Sequence, residues 1–395
     1  MPTPRRLLRF VARRLGLQRY WAQPGDGRSQ PTIPGRVLLW ALLVGRVLRE
    51  CSFYGVEPVV RVAGCRKLGL QRSFSNDTLN YFVERLDPTV TRQALLAVVR
   101  QAKRGKAFPD SRFLGLALDG TGAGRSRQSH CEWCRPVRDA QQKVIGYHHK
   151  LVALRVVGTG LTLLVDAEPY GPGESELTAS RRLLPRALAG LGPRFADYVV
   201  VDGEYAGAPF LHLVNRWGLR VVARLKNNLP QLHGAVQQRF PQPAPTQVYQ
   251  DGQDRVEIGD ADDFDPGDTL QWKTVRVLRY RQHKPDGKVV QAEWLTDFSM
   301  RQVGSLTLYH MAKSRWEIEN QGFNDAKNRY GLEHICHHEK NSVLLNYLLT
   351  LLALTIERLY RLRYLHRGNH GIRSAEQLCR LFWVSLSRPH AANSS

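Results

Sequence analysis

Cysteine is scarce in this chain, with six in 395 residues: Cys51, Cys65, Cys131, Cys134, Cys336 and Cys379. They are scattered rather than closely spaced, which excludes the disulfide framework of a small secreted domain and fits a reducing compartment such as the cytoplasm. Long apolar runs near the start are also lacking. The strongest, Val37 to Val44, is flanked by Arg36 and Arg46. It falls well short of the ~18–20 residues that a membrane span needs, and no small-residue cleavage site follows it, so neither export nor a membrane partner is expected. Acidic residues are the third scarcity: 35 Asp and Glu face 57 Lys and Arg, a formal net charge of +22.

That basic excess is uneven. Residues 1–107 hold 20 Lys and Arg against 6 Asp and Glu. A polyanion is the natural partner of such a region, because each phosphate neutralised releases condensed counterions. Attraction to an anionic membrane surface, or a merely solubilising arm, are the competing readings. Residues 1–34 are rich in Arg, Gly, Pro and Gln and read as a basic arm carrying one short amphipathic helix, Arg5 to Leu15. From Gly35 onward helical periodicity takes over, with Ser75-Asn76-Asp77 and Asp87-Pro88 as helix starts. A basic, mainly helical nucleic-acid-binding region over 1–107 is therefore expected.

The rhythm changes at Phe113. Phe113 to Gly122, Tyr147 to Val157 and Leu161 to Val165 are short β-branched or apolar runs punctuated by glycine, and read as three successive strands. Glu174 to Leu191 has helical spacing, Tyr198 to Asp202 is an apolar strand, Ala208 to Trp217 a helix and Leu219 to Leu225 a fifth strand. The order βββαβαβ is the ribonuclease H topology, an α/β mixed sheet with helices on its faces. Residues 229–304 interrupt it as a β-rich insertion containing a hairpin around Pro285-Asp286-Gly287. The core is thus expected over 108–228 and again over 305–395, where Leu306 to Tyr330 and Leu344 to Leu362 read as helices.

Asp119 ends the first strand in Leu-Asp-Gly-Thr-Gly and Asp202 ends the fourth in Val-Val-Val-Asp-Gly. In this topology those strands are parallel neighbours about 4.8 Å apart, so both carboxylates reach the same sheet edge and require a counter-cation. A hard divalent ion such as magnesium meets that need while keeping positions for water and phosphate. The bland alternative is that each Asp-Gly pair simply starts a turn. Glu319, from Arg315-Trp316-Glu317-Ile318-Glu319, is the third candidate carboxylate. Arg315, Glu319, Phe323 and Lys327 recur at intervals of four, a helical row that sets a phosphate-binding guanidinium and a lysine beside it; a surface salt-bridge ladder would have the same spacing. Asp166 and Glu168 are rivals, placed a strand too far from Asp119, and Glu174 and Glu176 suit a helix start, where acidic groups complement the dipole.

Together these residues resemble the DDE transposases of the IS4-like insertion-sequence group: the Asp-Gly strand end, Val-Val-Val-Asp-Gly-Glu-Tyr-Ala, the β-rich insertion, then Arg-Trp-Glu-Ile-Glu. The resemblance is specific from about Leu114 to Tyr330. It implies that Asp119, Asp202 and Glu319 are catalytic and hold two magnesium ions, with manganese as a substitute, and that Arg315 and Lys327 contact DNA. It also implies an aromatic in the insertion, Trp272 or Trp294, that receives an unstacked base, a core-facing tryptophan being the ordinary fate of a strand residue. Transposon ends and target DNA are the implied double-stranded DNA partners, and a homodimer the implied assembly, in the cytoplasm and associated with the nucleoid. Two features depart from the group's signature: Ala312 stands where a tyrosine is expected three before Arg315, and Lys327 lies eight rather than seven residues after Glu319. A nuclease of the same core without strand transfer and a non-catalytic DNA-binding regulator are the alternative functions.

His130-Cys131-Glu132-Trp133-Cys134, with His148, His149, His334, Cys336, His337 and His338, contains the parts of a structural zinc site. One Cys-x-x-Cys without a second paired cluster is ambiguous, so ordinary loop residues are expected. The acidic stretch from Asp260 to Asp268 lacks the glycine and the terminal glutamate of a calcium loop and reads as a solvated loop.

Overall fold

The computed structural model describes residues 4–61, 73–108, 112–128, 131–240, 247–273, 275–365 and 374–387. Cys65 and His130 lie outside the described residues.

Ten strands form one sheet: β1 (Gly115–Ser126), β2 (Arg135–Arg138), β3 (Val144–Val157), β4 (Leu164–Tyr170), β5 (Tyr198–Val201), β6 (Arg220–Arg224), β7 (Gln247–Asp251), β8 (Asp254–Ala261), β9 (Arg276–His283) and β10 (Val289–Thr296). At its centre the order is β4-β3-β1-β5-β6, with β3 antiparallel to β1 and β4, and β1, β5 and β6 mutually parallel. That is the ribonuclease-H-like arrangement. β5 is Tyr-Val-Val-Val, buried along its whole length, as a strand flanked by parallel neighbours and covered on both faces must be. β2 was not anticipated; it pairs with the start of β3.

The segment expected to interrupt the core instead lengthens its sheet. β10 runs antiparallel to β6, with Trp294 opposite Arg224 and Thr296 opposite Val222, and β9, β8 and β7 follow in order. The hairpin turn lies at Lys284–Lys288, where Gly287 takes φ +81°, a left-handed conformation that glycine adopts without strain. Asp260, read as part of a solvated loop, belongs to β8 and pairs in the interior with Arg276.

Helices α1 (Gly35–Val47) and α2 (Thr89–Arg104) precede the sheet, α3 (Glu176–Leu191) and α4 (Ala208–Arg216) follow β4 and β5, and α5 (Ser305–Lys313), α6 (Asn324–Tyr330) and α7 (Lys340–Tyr364) follow β10. The Ser175 hydroxyl caps α3 by accepting from the Thr178 N–H, and the Glu339 carboxylate caps α7 by accepting from Asn341 and Ser342. α7 is long and apolar enough to cross a membrane, but 89% of its most apolar stretch is buried inside the protein. It packs on β4, α1 and α2, and Thr355 donates to the Leu164 carbonyl at 3.3 Å.

The first residues are not a free arm. A helix at Pro4–Arg9 and a wider turn at Phe10–Arg14 bury Leu7, Phe10 and Val11, and Phe10 meets the rings of Tyr360 and Tyr364 on α7 edge-on, at 5.6 Å each. The buried side chains are the apolar face of the amphipathic helix expected at Arg5 to Leu15.

Between α5 and α6 the expected straight helix is interrupted. Ile318–Phe323 is π-helical, and the Asn324 N–H bonds five residues back to the Glu319 carbonyl. One extra residue in that turn breaks the four-residue row after Glu319.

Candidate active site

Asp119 and Asp202 reach one region because of strand register. β1 and β5 pair as Gly115 with Tyr198, Leu116 with Val199 and Ala117 with Val200; two residues further along both chains stand Asp119 and Asp202. Asp119 does not end its strand, as β1 continues to Ser126, but it lies just past the last parallel pair. There β5 gives way to a short 3₁₀ turn at Gly203–Tyr205.

The third element enters from the far end of the chain. Ser314 is held by Tyr198 of β5 (Oγ to hydroxyl 3.3 Å), which places Arg315 over the strand ends. One guanidinium nitrogen, Nη1, donates to Asp119 Oδ2 at 3.1 Å and to Glu319 Oε1 at 2.9 Å. Arg315 is buried, and its charge also acts on Asp202. Burial pushes the Asp119 carboxyl up to about 7; Arg315 opposes the rise, while hydrogen-bonded Glu319 and nearby Glu176 add to it. Asp202 is the opposite case. Burial would raise it, but Lys226 Nζ at 2.7 Å and the Gly203 N–H outweigh burial and hold it below the ordinary carboxylate value.

Asp202-Gly203 opens the 3₁₀ turn, and both glycines also lie close to a neighbouring side chain. A Cβ on Gly120 would lie 2.0 Å from Glu176 Oε2, and one on Gly203 would lie 2.6 Å from Lys226 Cδ. Glu176, the first residue of α3, points inward: its Oε1 accepts from the Tyr205 hydroxyl at 2.7 Å, and burial raises its pKa. Tyr205 and Lys226 were given no role from the sequence, and Glu176 was read as a helix start, which it is, without its place in this group. Lys226 had a signal, because it follows β6, whose end lies on the same sheet edge as that of β5. Glu176 had none, since an acidic residue in a first helical turn is the ordinary complement to the dipole.

Lys327 and Trp294 do not join this group. Lys327 pairs with Glu333 at 2.9 Å, and Trp294 is wholly buried on β10, edge-on to Trp316 at 5.9 Å. Trp316 in turn carries the Arg315 guanidinium 5.4 Å from its ring centre, so Trp294 backs the arginine's platform instead of facing solvent. Trp272 lies outside the strands and donates to Asn215 at 2.8 Å. The rival carboxylates are occupied elsewhere: Asp166 is buried between Arg92 and Arg186, each at 2.9 Å, and Glu168 pairs with Arg182 and Arg186.

Beside Asp202 an open cleft of about 650 Å³ is lined by Gly203, Arg224, Lys226, Asn228 and His233, among others. At another place Cys131 and Cys134 lie with His149 and His338, one ligand atom from each within 4.8 Å of the others.

A family model described as the transposase DDE domain matches residues 111–356. No curated protein matches the sequence. Among solved structures, the cryo-EM structure of the piggyBac transposase synaptic complex with hairpin DNA is similar at 11% identity, covering 98% of this chain and 80% of that one, with a TM-score of 0.47.

Proposed function

Since the chain belongs to the DDE transposase family, whose catalytic domain spans residues 111–356 here, we propose that it cuts DNA at the ends of a mobile element and joins the freed ends to target DNA. The resemblance of its motifs to the IS4-like group supports this reading. The observation that carries this reading is the Arg315 guanidinium shared by Asp119 and Glu319, with Asp202 in register beside Asp119.

Asp119, Asp202 and Glu319 offer only carboxylate oxygens, a hard donor set suited to magnesium and, as a substitute, manganese. Burial, with Glu319 and Glu176 close by, pushes Asp119 up to about 7, a condition that a divalent cation relieves. Two such ions, when bound, supply an activated water and a stabilised leaving oxygen for phosphodiester hydrolysis.

The chain's own groups do the positioning. Arg315, which here bridges Asp119 and Glu319, would present a planar fork to two oxygens of the scissile phosphate if divalent ions held those carboxylates. Tyr205 fixes Glu176, and Lys226 sits where the cleft beside Asp202 receives the DNA backbone. Basic groups of the N-terminal helices bind the element's end through its phosphates. The freed 3′-hydroxyl then attacks a target phosphodiester in line. Two copies of the chain hold the two ends in the DNA complex, associated with the nucleoid in the cytoplasm.

The test is strand transfer from a pre-cut end. Oligonucleotides ending in the element's terminal 3′-hydroxyl, incubated with the protein, magnesium and a supercoiled plasmid, are expected to become covalently joined to the plasmid. Cleavage of uncut ends without any joining would instead make the protein a nuclease, and binding with neither reaction would make it a regulator.

A further inference from the structure

We propose that Cys131, Cys134, His149 and His338 form a tetrahedral zinc site with a structural role. Cys131 Sγ lies 3.7 Å from Cys134 Sγ and 3.0 Å from His149 Nε2, and Cys134 Sγ lies 3.5 Å from the same nitrogen. The rings of His149 and His338 are 5.4 Å apart, and one ligand atom from each of the four residues falls within 4.8 Å of all the others. Zinc at ~2.3 Å from sulfur and ~2.0–2.1 Å from nitrogen, with tetrahedral angles, sets its two sulfurs about 3.8 Å apart and each sulfur about 3.6 Å from a nitrogen. The Cys131–Cys134 and Cys134–His149 pairs already stand at those separations, Cys131 lies about 0.6 Å closer to His149 than a bound ion would set it, and the His338 ligand atom is within 4.8 Å of the rest. A disulfide would need the sulfurs in contact at about 2.05 Å, and both sulfurs turn instead toward one imidazole.

The surroundings favour a closed, structural site. Cys134 and His149 are buried, and four protein ligands leave no position for substrate. The ligands also come from three separate pieces of chain. Cys131 and Cys134 flank a turn before β2, closed by the Cys134 N–H on the Cys131 carbonyl at 3.1 Å; His149 is on β3, and His338 is in the loop between α6 and α7. Other groups of that loop are engaged elsewhere: Cys336 donates to the Cys51 carbonyl and His337 meets Ser342 and Glu84. The loop also presses on β1, where a Cβ on Gly124 would lie 2.8 Å from the Glu333 carbonyl oxygen. A zinc ion here clips the end of the segment that carries Glu319 to the strand pair that carries Asp119. Its role is to hold the two halves of the site in register.

Full-length protein purified without chelator should contain one zinc per chain by mass spectrometry of the metal, released by a thiol-modifying mercurial. Replacement by cobalt should give the intense visible bands of a tetrahedral ion together with thiolate charge-transfer absorption in the near ultraviolet. Cys131→Ser, Cys134→Ser and His338→Ala should lose the metal and the spectrum, while Asp119→Ala and Cys336→Ser keep both. Asp119→Ala thereby separates this site from the carboxylate cluster. Parent protein with no zinc and only the weak spectrum of octahedral cobalt overturns the proposal, even if the variants fail to fold. So does a Cys131–Cys134 disulfide in freshly isolated protein, or undiminished zinc in a Cys131→Ser, Cys134→Ser double variant.

Discussion

Arg315 touches both Asp119 and Glu319, and the account depends on what its shape adds beyond its charge. A guanidinium can grip two phosphate oxygens in a fixed fork, whereas an ammonium is a point charge. Arg315→Lys should therefore keep end binding but cut strands on the order of tenfold more slowly or worse, equal to ~1.4 kcal/mol or more of transition-state stabilisation. Single-turnover cleavage measures it; parent-like cleavage in the lysine variant would show that only charge counts. Gly120 allows a second test, because its Cβ would fall 2.0 Å from Glu176 Oε2. Gly120→Ala should destabilise the fold by about 1–3 kcal/mol through overpacking, read from the denaturant midpoint. Adding Glu176→Ala should recover most of that loss. An unchanged midpoint for Gly120→Ala would mean that Glu176 does not pack there. The pairing of Arg315 with Glu319 was legible from their spacing, and their convergence on Asp119 was expected from strand order together with the family resemblance. Glu176 was not, because nothing local distinguishes a helix-start carboxylate that faces inward from one that faces water.

At the scale of elements, strand order was readable because each strand of the core carries its own glycine-bounded apolar run and the βαβ crossovers permit few arrangements. What escaped were features set by partners distant in sequence: pairing of β10 to β6, the π-turn at Ile318–Phe323, and the arrival of His338 beside Cys131 and Cys134. A period of four in sequence describes an unbroken helix, so the row from Arg315 could be followed to Glu319 but not to Lys327. The interior carboxylate on β4 offers the element-scale prediction. Asp166 is fully buried between Arg92 on α2 and Arg186 on α3, which ties both helices to the sheet. Asp166→Ala leaves Arg92 and Arg186 with Glu168 as their remaining carboxylate and should cost about 1–3 kcal/mol through the hydrogen bonds left unmade. Thermal or denaturant unfolding checks the cost. A parent-like midpoint would mean that the network contributes little, and lost cleavage in protein that remains folded would return Asp166 to the list of catalytic candidates.

Over the whole molecule, the basic N-terminal quarter and the carboxylate site are joined physically, since Phe10 packs between Tyr360 and Tyr364 on α7. DNA binding is therefore best measured on the intact chain. Affinity for end DNA should fall steeply with salt, log K changing by about 0.9 per phosphate contact for each tenfold rise in salt. Salt-insensitive binding would remove the electrostatic role from the +22 net charge. The central claim is that Asp119, Asp202 and Glu319 act as one metal-dependent centre for cutting DNA. The most direct measurement is magnesium-dependent cleavage of DNA carrying the flanks of the protein's own reading frame, by the parent and by Asp119→Ala, Asp202→Ala and Glu319→Ala in turn. The parent should cut at the element's end only with magnesium or manganese present, and each variant should bind that DNA with near-parent affinity and leave it uncut. Cleavage without a divalent ion, or near-parent cleavage by any one of the three variants, would contradict the account.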